Sequence, residues 1–289
     1  MSSDGRQGLT IIAFIGSVFS PYYAWARRRG VADPYNHCAL NVALYGEGSR
    51  WAMTERGRTS LHRTKSTLII GPSLLAWDGD ALTIRIEEMT APIPSALRGV
   101  VRIYPKAITS RTFTLDPAGR RHRWWPIAPS AHVQVAMEKP GMRWQGTGYF
   151  DSNAGDEPIE DAFQSWHWSR ADFHSGASVY YDVVPRNGSA PPIALHLAAS
   201  GNVEEVEPPP LAELPPTGWK ILRKARSEPG APVRVLRTLE SAPFYARSML
   251  STRIRGRPAI AIQESLSLDR FRAGWVQAML PFRMPRAWR

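Results

Sequence analysis

Apolar and polar residues alternate one by one along most of this 289-residue chain, and a period of two is what a strand with one buried face requires. In LTIRIEE the apolar Leu82, Ile84 and Ile86 interleave with Thr83, Arg85 and Glu87. The preceding LLAW and the Asp78-Gly79 turn signal make this segment a hairpin. The same signature recurs in VVRIY, RTFTL, AHVQVAM, SVYYDVV, IALHLA and VRVLRTL, interrupted by Gly, Pro, Asn or Asp at intervals typical of antiparallel strands. Convincing helical stripes are lacking, so the sequence predicts a mainly β protein of sandwich or barrel type.

Composition narrows the function classes. A hydrophobic share of 43% and a charged share of 21% describe an ordinary folded chain. Cys38 is the lone cysteine, which excludes an internal disulfide and a zinc site built from thiolates. The 36 Lys and Arg exceed the 25 Asp and Glu by +11, a balance that favours an anionic partner, either nucleic acid or the face of a membrane. No helix-turn-helix, zinc-finger or ribonucleoprotein motif accompanies the charge, which lowers the nucleic-acid reading. The run LTIIAFIGSVF is too short to cross a bilayer and lies before Arg27-Arg28-Arg29, the reverse of a secretory signal, so it reads as a buried strand. A cytoplasmic chain, or one peripheral on a membrane, is expected.

The proline-rich stretch EEVEPPPLAELPPTGW resembles a linker, but cutting there would leave about seventy residues, near the lower limit for a core of its own. The expected division is therefore 1–157 and 158–289, with residues 204–218 as a long loop inside the second domain.

Two short segments carry candidate chemistry. In RRHRWWP, His122 and Trp124 are two residues apart and share a strand face after the Asp116-Pro117-Ala118-Gly119 turn. In GYFDSN, Tyr149 and Asp151 have the same relationship. If both strands line one cavity, it holds an acid, an imidazole and two aromatic faces. A carboxylic acid buried among aromatics keeps its proton to higher pH and can protonate an alkene. The resulting carbocation would be steadied by the faces of Trp124 and Tyr149, and water would capture it. Spacing alone leaves other readings open: Asp151 before Ser152-Asn153 is a good turn opener, His122 among arginines can face solvent, and the two aromatics can be packing residues. His167 in WHWSR falls on the strand face opposite Trp166 and Trp168, and with Asp172 and His174 it has no recognised metal-ligand spacing. Nucleophile-elbow, P-loop and dinucleotide motifs are absent.

GSVFSPYYAWARRRG, GYFDSNAGDEPIEDAFQSWHWSR, APFYARS, and ESLSLDRF with LPFRMPR together resemble the carotenoid 1,2-hydratases, or hydroxyneurosporene synthases, of purple phototrophic bacteria. The resemblance runs from about Gly16 nearly to the C-terminus and rests on long strings of rare residues such as Trp and Tyr. It implies a fold of two lipocalin-like antiparallel β-barrel domains, shared with a superfamily that includes tocopherol cyclases. It also implies addition of water to the terminal C1–C2 double bond of acyclic carotenes such as neurosporene and lycopene, with no cofactor and no metal.

The family's His-x-Trp falls on His122 and Trp124, and its Tyr-x-Asp on Tyr149 and Asp151. Asp151 is then the implied proton donor, the aromatics steady the tertiary cation, and His122 orients Asp151 or the attacking water. A substrate so insoluble in water implies collection from a membrane, so the expected partners are an acyclic carotene and an anionic membrane surface, not nucleic acid, with the protein peripheral on the cytoplasmic side of the photosynthetic inner membrane. A non-catalytic carotenoid carrier and an isoprenoid cyclase are the rival readings. Oligomeric state is not legible in the chain.

Overall fold

The computed structural model of the protein describes residues 1–230 and 232–287. It is dominated by antiparallel strands, as the alternation predicts. In Leu82–Met89, Ile84 and Ile86 are buried while Arg85 and Glu87 are exposed, and the strand pairs with Ser73–Trp77 across the Asp78-Gly79 turn. Asp78 shapes that turn by accepting hydrogen bonds from the backbone N–H groups of Asp80 and Ala81. The alternation also carries Glu88 inward, where Arg56 binds it through both guanidinium nitrogens at 3.1 and 2.8 Å. A carboxylate on that face is tolerated because it is paired and bonded.

The chain forms two compact units. One comprises Met1–Pro105, Ala131–Gly148 and the chain from Gln277 onward, and the other comprises Lys106–Ser130 and Tyr149–Val276. This interleaved division differs from a single cut between 157 and 158. The physical reason is strand length: His122–Lys139 and Met142–Gly155 each contribute residues to both units.

The first unit holds a three-stranded sheet of Gly8–Ile15, Cys38–Tyr45 and Arg50–Arg56. Cys38–Tyr45, CALNVALY, is buried at every position because it is the central strand and is apolar at nearly every position. The apolar N-terminal run does form a strand, Gly8–Ile15, though it is half-buried beyond Gly8. Gly16 then takes a φ of +72°, a left-handed conformation that lets the chain leave the sheet. The helix Pro21–Arg28 follows, with the Ser20 hydroxyl accepting from the Tyr23 N–H and proline in the first turn.

The second unit is built on a seven-stranded sheet ordered Val203–Glu205, Ile193–Ala198, Gly176–Pro185, Phe163–Phe173, Arg257–Ser267, Tyr245–Ile254 and Arg234–Ser241. One face packs Ala171, Tyr180, Leu214, Leu250, Ile254 and Ala261 into an apolar core. Burial of a Leu or Ile side chain there contributes about 1.5–3 kcal/mol each. The proline-rich stretch lies in this unit and is more than a loop, since Leu211–Leu214 pairs with Arg223–Arg226 as a hairpin. RTFTL shrinks to the two-residue strand Phe113–Thr114, which pairs with the start of His122–Lys139.

Candidate active site

The second unit brings Trp124, Tyr149 and Asp151 together. The strand His122–Lys139 starts just after a turn in which Gly119 and Arg120 donate backbone bonds to the Asp116 carbonyl. The Asp116 carboxylate also accepts from the backbone N–H groups of Arg121 and His122, which fixes the entry to the strand. The neighbouring strand Met142–Gly155 passes through Tyr149 and Asp151 and continues to Gly155. Ser152 and Asn153 are therefore strand residues, and Asp151 is not a turn opener.

The Trp124 indole Nε1–H donates to Asp151 Oδ2 at 2.7 Å, and the Tyr149 hydroxyl lies 3.2 Å from the same oxygen. Neither bond reaches Oδ1. Burial raises the Asp151 pKa to about 6, opposed by the bonds from Trp124 and Tyr149 and assisted by the negative charge of Glu264. Tyr149 and Tyr181 are pushed well above the ordinary tyrosine value, chiefly by burial, so both stay neutral donors. Asp151 and Tyr149 keep partial exposure.

Aromatic rings surround the acid. Trp124 is fully buried and meets Tyr181 edge-on at 5.6 Å and Phe113 at 5.7 Å. Tyr149 stacks on Trp168 at 5.3 Å, and the Arg170 guanidinium sits 5.0 Å from the Tyr149 ring centre. Arg170 is itself held by the Pro129 carbonyl and by Asp172 at 2.7 Å. Trp166 closes on Tyr181 at 6.2 Å. Sequence reasoning placed Trp166 and Trp168 on one face but not at this site. Tyr181, which meets Trp124 and Trp166, and Phe113, which meets Trp124, were missed because only strand register puts them here.

His122 is buried on the same strand as Trp124 but is not a partner of Asp151. Two residues along a strand cover about 7 Å, enough to put the imidazole in a separate pocket. There it packs on Phe163 at 4.9 Å, and its Nε2 has no hydrogen-bond partner, with the nearest carboxylate, Glu157, at 3.7 Å. Burial lowers its pKa against the pull of Asp116 and Glu157, so it is neutral near pH 7. His167 occupies the opposite sheet face as its spacing predicts, bonded to Ser265 Oγ at 2.8 Å, and burial lowers its pKa to about 4. His167, Asp172 and His174 do not converge, and among the described residues no group of at least three His, Cys, Asp or Glu is placed to hold a metal.

This site can present a proton to an electron-rich substrate and surround the resulting cation with π-faces. The chain is 60% identical over 288 residues to the acyclic carotenoid 1,2-hydratase of Thiocapsa roseopersicina, covering 99% of this chain and 71% of that protein. It is 48% identical to the enzyme of the same name from Rubrivivax gelatinosus, again with 99% and 71% covered. Identity to the acyclic carotenoid 1,2-hydratase of Cereibacter sphaeroides is 40%, over 96% of this chain and 98% of that one. Among solved structures, an AttH-type protein from Nitrosomonas europaea superposes with a TM-score of 0.64 at 14% identity, over 92% of this chain and 88% of that one. That likeness is one of fold, in keeping with the lipocalin-like β architecture expected. The family model described as carotenoid hydratase CrtC matches residues 11–289, and the chain belongs to that family.

Proposed function

We propose that this chain adds water across the terminal C1–C2 double bond of an acyclic carotenoid, with Asp151 as the proton donor. The observation that carries the mechanism is the one-sided bonding of Asp151. Oδ2 accepts from Trp124 and Tyr149, so the proton of the neutral acid belongs on Oδ1. A pKa of about 6 keeps a useful fraction of the acid protonated near neutrality.

The step follows from the bonding. The Oδ1 proton passes to C2 as the double-bond electrons form the new C–H bond, and the tertiary cation develops at C1. Trp124, Tyr149, Trp168 and Tyr181 offer π-faces or edges around that position. A desolvated cation–π contact is worth about 2 kcal/mol, and each 1.36 kcal/mol gained only in the transition state is about tenfold in rate. Water then bonds to C1, so the hydroxyl ends on the more substituted carbon. Tyr149 keeps its place between Trp168 and Arg170, and His122 contributes by packing the strand that carries Trp124.

The same reading includes peripheral docking on an anionic membrane from which the carotenoid is drawn. No helix among the described residues is long and apolar enough to cross a membrane. One side of the helix Gly274–Arg283 exposes Trp275, Met279 and Phe282, the last at 70%. These positions fall at helical spacing on one stripe, whereas a stripe facing water is ordinarily polar. The Arg270 guanidinium lies 5.8 Å from the Trp275 ring, Trp219 stacks on Trp275 at 6.2 Å, and the helix has no acidic residue in its first turn. Aromatic and apolar residues flanked by arginine suit an anionic interface. Co-expression with an acyclic carotene pathway tests the activity: a product that has gained one water supports it, and unchanged carotene removes it.

A further inference from the structure

APFYARS and ESLSLDRF carry much of the sequence resemblance yet supply none of the residues given a step in the reaction above. The fold joins them. Arg247 of the first and Glu264 of the second are directly opposed on adjacent strands, and Arg247 donates from Nε and Nη2 to Glu264 Oε1 at 3.0 and 2.6 Å. Arg247 Nη1 also donates to Glu240 Oε1 at 2.9 Å, and Glu240 is its register partner on the next strand. In the other direction Glu264 opposes Trp168, which opposes Tyr181. Opposed residues of antiparallel strands project to one face. Tyr181, Trp168, Glu264, Arg247 and Glu240 therefore form one row across the sheet, and Tyr149, the partner of Asp151, stacks on that row at Trp168.

Both bonds from Arg247 reach Glu264 through Oε1, and no described residue donates to Oε2. The Glu264 side chain keeps 22% exposure although Arg247 beside it is buried. Its charge is felt at Asp151, Tyr149 and Tyr181. A carboxylate clamped at one oxygen and open at the other, in the same row as Trp168 and Tyr181, is placed to hold a water.

We propose that Glu264, fixed by Arg247, binds the attacking water through Oε2 and takes its proton as the C–O bond forms. This rests on the hydration reading above. The atoms balance: Asp151 gives one proton to C2, the water oxygen supplies the electron pair for its bond to C1, and the proton that oxygen sheds goes to Glu264. Turnover ends with Asp151 ionised and Glu264 protonated, and proton exchange with solvent restores both. Formation of the cation then needs Asp151 alone, while its capture needs Glu264.

That division is measurable in deuterium oxide. Cation formation is reversible, so carotene recovered unhydrated carries deuterium wherever protonation occurred without capture. Glu264→Gln is expected to keep this exchange while hydration falls, raising the ratio of exchange to hydration roughly a hundredfold, the low end of what a positioned base contributes. Glu264→Asp keeps a carboxylate beside Arg247, and hence the fold, but withdraws it from the water, and is expected to shift the ratio in the same direction. A wild-type ratio in the folded Asp variant, or equal loss of exchange and hydration in a folded Gln variant, overturns the assignment. Failure of the hydration reading looks different, because the unaltered protein would then show no hydration to compare.

Discussion

Trp124 Nε1 lies 2.7 Å from Asp151 Oδ2, and this bond decides which oxygen of the acid can work. An indole N–H only donates, so Oδ2 must accept, and a neutral Asp151 carries its proton on Oδ1. With Tyr149 adding a second donor to Oδ2, the acid is oriented by two rings that also line the site. Orientation and cation stabilisation thus come from the same side chains.

The rate is expected to fall as pH rises through about 6, because the working form of Asp151 is the protonated one. Tyr149→Phe removes a bond that lowers the Asp151 pKa and should move this limb to higher pH. Glu264→Gln removes a negative charge that raises it and should move the limb lower. Profiles of kcat/KM for the two variants check the signs, and movement in one common direction contradicts the account.

Stability carries a matching signature. The folded Asp151 pKa of about 6 exceeds the ordinary aspartate value of 3.8, so the native state binds more protons across that window. Its contribution to stability is present below the window and is lost as pH rises through it. Asp151→Asn does not titrate, so its melting temperature relative to the unaltered chain should improve from pH 4 to 6 while hydration is abolished. His167, held down to about 4 from the ordinary histidine value of 6.5, has the opposite sign and loses stability as pH falls. The Asn variant should therefore melt with a steeper rise between pH 4 and 6.5 than the unaltered chain, as calorimetry would show.

His122 is expected to act through packing. A Cβ on Gly155 would stand 2.5 Å from His122 Nδ1, so the ring and this glycine fill one space. Gly155→Ala should destabilise by about 1–3 kcal/mol in denaturant unfolding, the usual cost of overpacking. His122→Gln should lower the melting temperature yet leave the fall in rate centred near pH 6. A displaced limb would instead tie the imidazole to Asp151.

Phe282→Glu should weaken flotation with anionic vesicles without changing the melting temperature, since Phe282 is 70% exposed. Binding of the unaltered chain should fall with added salt, as expected for a surface attracted to anionic lipid. Equal flotation of both proteins would remove this helix from the docking surface.

The strands were legible because a half-buried sheet writes its period into the chain, as Ile84, Arg85, Ile86 and Glu87 show. The helix Pro21–Arg28 was not read, although Ser20-Pro21 is a capping signal, because its short span sits among aromatics with no clear stripe. Gly274–Arg283 hid for a different reason: it is apolar on the exposed side as well as the buried one. At the site, two-residue spacing was enough to pair Tyr149 with Asp151 and to place Trp124 on one face. It could not show that Trp124 reaches Asp151 and His122 does not, since that depends on which residues of neighbouring strands align. Trp168, Tyr181, Arg247 and Glu264 enter through the register of the seven-stranded sheet, which local sequence does not encode.

The most direct test is to incubate the purified chain with lycopene or neurosporene in heavy-oxygen water and determine the product mass, with Asp151→Asn in parallel. The account predicts a tertiary 1-hydroxy carotenoid whose oxygen comes from solvent, and no product from the folded Asn variant. Intact carotene with the unaltered chain, a cyclised product without solvent oxygen, or undiminished hydration by the Asn variant would contradict it.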